Sequence, residues 1–326
     1  MTASIKVGLR EALRHPKLVW LLFAWYALLA LVPALPAWSW WNGVLGASTE
    51  AGSVLRRFDM GVFLDLTSGK GINGLRLLAG AAAAAGVIAL LSSAFAFGGI
   101  VEVLAAREDR RPFTHRFFRG GGHFFWRFLR LAVIAGVCLV LATGLVSALQ
   151  TVAVSAASDS EWEPAGYLAS AAGVAVFLLV AAFFLLALDY ARIRVSRDDS
   201  RGMLKAYFSG LAFVARRLPA VYGIAIAILA FEVVLVLAYV AYEANTAAAG
   251  TWAAIAALVL VQQVVVFGRV FLRVALVGAE QHFHVTALPK PVQVVAVAGD
   301  ATPLFEAPSL PEALPSAAPG GAGNPT

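Results

Sequence analysis

Six apolar runs, at about 18–41, 75–105, 128–154, 165–190, 219–242 and 252–277, dominate this chain. Each reaches or exceeds the ~20 residues with which a helix crosses hydrocarbon. A spanning helix pairs every backbone N–H and C=O internally, which a lipid-exposed loop or sheet edge cannot do. The expected fold class is therefore all-α: a polytopic membrane protein with six transmembrane helices arranged as three hairpins. Composition agrees, since 13% of the residues are charged, against about 25% in soluble domains.

The charges are gathered between the runs. Met1–Lys17 carries four Lys/Arg, and Arg107–Arg130 and Arg192–Arg217 carry seven each. The connections at the other end carry three, none and none. Basic loops stay in the cytoplasm, so both termini are expected there. Residues 1–17 read as a cytoplasmic amphipathic helix, with Ile5, Leu9 and Leu13 one turn apart and His15-Pro16 at its end. Phe117, Phe118, Phe124, Phe125, Trp126 and Phe128 are woven between the arginines of the second segment. Arg beside Phe and Trp suits an interfacial segment, with rings at the acyl boundary and guanidiniums among anionic headgroups. Arg116, Arg119, Arg127, Arg201, Lys205, Arg216 and Arg217 are the expected headgroup-binding cations. Pro33 and Pro36 suggest a kink or an early end in the first span. Residues 18–287 form the expected membrane domain. Residues 288–326, rich in Pro, Ala and Gly, are expected to be a disordered cytoplasmic tail.

The second and third hairpins repeat. From Asp109 and Asp199 onward, Phe117/Tyr207, Phe118/Phe208, Gly120/Gly210 and Arg127/Arg217 keep a constant offset of about ninety residues, the mark of an internal repeat. Glu102 and Asp189 lie near the ends of their incoming spans, and Gly8, Arg14 and Pro16 make the first hairpin a fainter copy. The basic helix before each hairpin, with Leu188-Asp189-Tyr190-Ala191-Arg192 and Phe213-Val214-Ala215-Arg216-Arg217, resembles a group of six-span bacterial membrane proteins. They are related to the membrane domain fused to some glycerophosphodiester phosphodiesterases. The resemblance covers roughly residues 5–284 and implies a multi-pass protein of the bacterial cytoplasmic membrane. The catalytic barrel of that family has no counterpart here, because no alternation of strands and helices occurs, so its activity is not implied.

No HExxH, GxSxG or CxxC is present. No catalytic residue, cofactor or metal is expected, and the chain is read as non-enzymatic. His282-x-His284 has too few neighbouring ligands for a zinc site and reads as an interfacial pair. Glu102, Asp189 and Arg192 are expected to form structural ion pairs where spans meet interfacial helices. Glu232 is a carboxylate deep in a span, level with Gln262 and Gln263 of the next one, either of which it can reach, with Arg269 two turns further in as a second candidate partner. Such a group marks either a hydrogen bond between two helices or a midplane proton or cation site. The expected partners are membrane lipids, anionic ones first, with a protein partner or a second copy next. Nucleic acid is not expected, because the cations punctuate apolar runs. The function expected is organisation of anionic lipid or a partner at the cytoplasmic face; a small transporter or channel-like protein is the alternative.

Overall fold

The computed structural model describes residues 1–45, 69–105, 112–158, 162, 164–200, 202–246 and 251–287, except the side chains of 41, 44, 45 and 69–75. The middle of the long first connection, Arg107–Arg111, Arg201 and the 288–326 tail lie outside the described residues. Eight helices make up the described chain: α1 (Thr2–Arg14), α2 (Pro16–Leu45), α3 (Gly69–Ala105), α4 (Phe113–Ser158), α5 (Ala165–Asp198), α6 (Met203–Arg216), α7 (Leu218–Thr246) and α8 (Trp252–Ala287). Six of them, all but α1 and α6, are long and apolar enough to cross a membrane. The protein is all-α and multi-pass. Its hairpins are α2/α3, α4/α5 and α7/α8; the end at which α1 and α6 lie is called the basic end below.

Helix breaks follow the prolines. Pro16 opens α2 and Pro219 stands second in α7, where a missing N–H leaves no bond unmade. Position 129, ninety residues before Pro219, is Leu. Nothing interrupts the chain there, so the basic segment and the third span form one helix of 46 residues. This corrects the expectation of a third span that begins at Phe128 after a separate interfacial segment. Of the kink or early end expected at Pro33 and Pro36, the early end does not occur, since α2 continues through both to Leu45. Two lost bonds are tolerable where the rest of the ladder stays shielded by lipid and neighbours.

Three glycines close the architecture into a ring. A Cβ on Gly8 of α1 would strike the backbone at Ala275 and the side chain of Ala279, both on α8. On Gly120 of α4 it would strike Gly98 and Glu102 of α3, and on Gly210 of α6 it would lie 2.6 Å from Ala187 O of α5 and 3.1 Å from Ala191. Each glycine therefore rides on two residues four apart, the spacing of one helical turn. Small residues there let the backbones approach closely. Each interfacial helix thus seats on the returning span of the preceding hairpin, and α1 seats on the last. The aligned positions are 98/102, 187/191 and 275/279, so the counterpart of Glu102 is Ala191 and not Asp189. Gly210→Val is expected to lower stability by about 1–3 kcal/mol through overpacking. Thermal unfolding in detergent measures it, and an unchanged midpoint would refute the close approach.

Burial is confined to the basic-end half. The core includes Leu18 and Leu22 of α2, Phe97 and Ile100 of α3, Phe128 and Leu131 of α4, Tyr190 and Ile193 of α5, Tyr207 of α6, Ile224 of α7 and Val274 of α8. No described side chain is buried in 23–45, 76–91, 136–158, 165–185, 229–246 or 252–269. The hairpins join at one end and do not close on one another along the rest of their length. Contacts between hairpins at the edge of the core include Trp20 and Phe23 against Phe267 and the Tyr222 hydroxyl donating to Leu179 O at 2.7 Å.

Candidate functional site

Where the three returning spans meet, an ionic cluster lies at the edge of the core. Asp189 of α5 accepts hydrogen bonds from Arg192 at 3.4 Å and from Arg273 of α8 at 3.1 Å. The Arg192 guanidinium sits 5.0 Å from the ring centroid of Phe97 and 6.0 Å from that of Phe128, and its side chain is 5% exposed. Guanidinium over aromatic faces is a favourable cation–π arrangement. Glu280, one helical turn from His284, is buried, and neither carboxyl oxygen has a hydrogen-bond partner among the described residues. His284 packs against Phe213 at 4.9 Å and Tyr190 at 6.1 Å. His282 Nδ1 lies 3.1 Å from Ser4 Oγ, which ties α1 to α8. The two histidines diverge, as residues two apart on a helix do. Among the described residues no group of His, Cys, Asp and Glu is arranged to hold a metal.

Three crevices surround this cluster at the basic end, one per repeat. Their volumes are about 390, 290 and 120 Å³. Each is lined by the residue before and the third residue after the seating glycine: Val7 and Glu11, then Arg119 and His123, then Ser209 and Phe213. The three are pseudo-equivalent in position and divergent in chemistry. The first is mainly apolar, with Val101 and Leu104; the second holds Glu102, Arg119, His123 and Asp199; the third holds Tyr190 and His284.

The second crevice draws on several of the cations chosen from the sequence. Arg119 is ion-paired to Glu102 and Arg127 to Asp199. Asp199 follows α5 in a left-handed conformation, φ 44°, one of the few residue types that enter it readily. His123 stands 3.8 Å from the same carboxylate. The hydrogen bond from Arg127, then its charge and that of His123, hold the Asp199 carboxyl below the usual range. A carboxylate held low in the folded state contributes stability above its ordinary pKa of ~3.9, and loses it as pH falls through the lower folded value. The stability gap between wild type and Asp199→Asn should therefore narrow from about pH 7 to about pH 3. A gap that stays constant in detergent unfolding would contradict this latch.

The remaining chosen cations are divided. Arg217 donates to Ala287 O at 2.7 Å and lies over Phe213, so it fastens the end of α8. Arg116 is half-buried, and Lys205 and Arg216 are exposed. Lys6, Arg10, Lys17 and Arg130 are also exposed. Periodicity within a short helix does not show which edge the ring leaves open, so the sequence alone does not single them out. Exposed Phe118, Trp126 and Phe208 accompany them.

Arg269 of α8 donates at 2.5 Å to Glu232, which stands midway along α7. Neither Gln262 nor Gln263 hydrogen-bonds to this carboxylate, so of the expected partners it is the second, Arg269, that takes it. Arg269 reaches back because a long side chain can climb more than a helical turn to a charge. Sequence reading also missed Arg273, eighty-four residues from Asp189; its only local signal is a charge one turn from Arg269. No protein-family model, curated protein or solved structure matches this chain.

Proposed function

We propose that this multi-pass protein lies in a bacterial cytoplasmic membrane with both termini in the cytoplasm, and that its basic end organises anionic lipid of the cytoplasmic leaflet. The observation that carries this reading is the ring of interfacial helix segments, each with one side in the core and cations on its open edge. Exposed Lys6, Arg10, Lys17, Arg130, Lys205 and Arg216 lie at the same end of the six spans. Phe118, Trp126 and Phe208 beside them suit the acyl boundary. Each cation near an anionic surface contributes about 1 kcal/mol, less as salt rises. The paired Arg119, Arg127 and Arg217 have fewer free donors and serve the ring itself.

Two measurements test it. Reporter fusions at Glu161 and Asn245 should read outside, and a fusion at Ala318 inside; a cytoplasmic signal at Glu161 would sink the orientation. Spin-labelled lipids around the full chain in mixed bilayers should show a preference for phosphatidylglycerol over phosphatidylcholine. The preference should weaken with salt and when the six exposed cations are changed to Gln. Equal, salt-insensitive partition would remove the lipid role. A transport function has one observation in its favour, the Glu232–Arg269 pair, in which 59% of the Arg269 side chain is accessible.

A further inference from the structure

The ionic cluster has an open side. Arg273 donates through one terminal nitrogen to Asp189, yet 42% of its side chain is accessible although Leu272 and Val274 beside it are buried. One turn further from the basic end, on the same faces, Leu185 of α5 is 50% exposed and Arg269 of α8 59% exposed. Tyr26 of the first hairpin is within electrostatic range of Arg273. The second and third hairpins meet at this guanidinium and the first passes near it, and above it Leu185 and Arg269 stand open. The helix faces that rise from Asp189 and Arg273 are apolar beyond Arg269, with Leu185, Ala182 and Leu178 on α5 and Val265 and Val266 on α8. At 1.5 Å per residue, Arg273 stands about 31 Å along α8 from Trp252. That is the thickness of the hydrocarbon, about 30 Å, and sets Arg273 level with the headgroups of the basic-end leaflet.

We propose that the space between the three hairpins binds one anionic glycerophospholipid of the basic-end leaflet, with its phosphate on Arg273 and its acyl chains between the spans. Charge, depth and wall chemistry each fit this occupant. The free N–H groups of a guanidinium match phosphate oxygens in geometry. A headgroup entering between hairpins meets Arg273 at its natural depth, and its chains then point toward the midplane, where the walls are apolar. Arg192 beneath is held by Asp189 and by the rings of Phe97 and Phe128. Asp189 is shared by Arg192 and Arg273, so these three side chains together carry one net positive charge. This site is separate from the collar: it is internal, holds one lipid, and does not depend on the exposed cations of α1, α4 and α6.

The test uses the full chain in mild detergent, delipidated and then supplied with phosphatidylglycerol, phosphatidylcholine or inorganic phosphate. Native mass spectrometry should show one phosphatidylglycerol retained, with phosphatidylcholine and inorganic phosphate displaced readily. Arg273→Gln leaves Asp189 its bond from Arg192 and should reduce that retention about tenfold or more, the loss of a charge-assisted contact. The collar variant Lys205→Gln/Arg216→Gln should retain the lipid unchanged. Phosphatidylglycerol with a photoreactive acyl chain, added to the wild type, should cross-link to peptides containing Leu185 and Arg269; this arm needs no variant to fold. Retention that ignores headgroup charge, or cross-links only on the outward Trp126 and Phe208, would overturn the proposal. If retention falls with Lys205→Gln/Arg216→Gln and not with Arg273→Gln, the bound lipid belongs to the collar and the internal site does not exist.

Discussion

Asp189→Leu is expected to cost the protein about 3–5 kcal/mol, the usual penalty for removing one member of a buried ion pair. The effect is large because this carboxylate accepts from two guanidiniums at once. Arg192 is 4% exposed and its Nε has no hydrogen-bond partner already. Without Asp189 its charge would be left in the core with only the rings of Phe97 and Phe128 for compensation. The separation matters as well: the pair joins the second hairpin to the third where the returning spans cross. The triple variant Asp189→Leu/Arg192→Met/Arg273→Met removes charge and counter-charge together and should regain most of the loss, since apolar replacements of a whole buried network are often neutral. Unfolding in detergent, monitored by helix content, gives both numbers. A mild Asp189→Leu, below about 1 kcal/mol, would mean that water or lipid reaches Arg192.

Glu232→Leu is expected to destabilise the third hairpin by up to about 2.5 kcal/mol, bounded by the insertion cost of an unpaired arginine at the membrane centre, because Arg269 lies one turn from the headgroup level of Arg273. Arg269 could relieve part of this only by extending toward the headgroups. The double variant Glu232→Leu/Arg269→Leu should be at least as stable as wild type, and the non-additivity measures the pair. Glu232→Gln keeps an oxygen for Arg269 and removes the ability to exchange a proton. If the pair takes part in transport, Glu232→Gln folds normally and abolishes a proton-coupled flux in vesicles. If its role is to fasten α7 to α8, flux is unaffected while Glu232→Leu still unfolds early. A fully stable Glu232→Leu would show that Arg269 already reaches water or headgroups and does not need the pair.

The spans, the basic segments between them and the ninety-residue repeat were legible in the chain because they are local properties. Hydropathy over about 20 residues decides what can cross a bilayer, and Pro16 and Pro219 mark helix breaks without reference to anything distant. The same locality explains the third span. Leu129 provides no break, so α4 continues through the interface as one helix; an apolar count that starts only where arginines end could not see this. Glu232 was recognisable as a midplane charge, but its choice of Arg269 over two nearer glutamines depended on the rotation of α8 about its axis, which hydropathy does not encode.

Tertiary structure alone decided which helix each glycine seats on. Gly8 could be read as a copy of Gly210, yet its groove belongs to α8, at the opposite end of the chain. Ring closure of this kind depends on matching surfaces far apart in sequence, and small residues are too common here for spacing to single them out. It also decided which arginines stay open to lipid. Arg119, Arg127 and Arg217 look like Lys205 and Arg216 in composition, but Glu102, Asp199 and the carbonyl of Ala287 are brought to the first three by folding. Asp189 finds Arg273 in the same way. A charge states by itself that it needs a partner; only the packing of the three hairpins determines whether that partner is a side chain or the membrane.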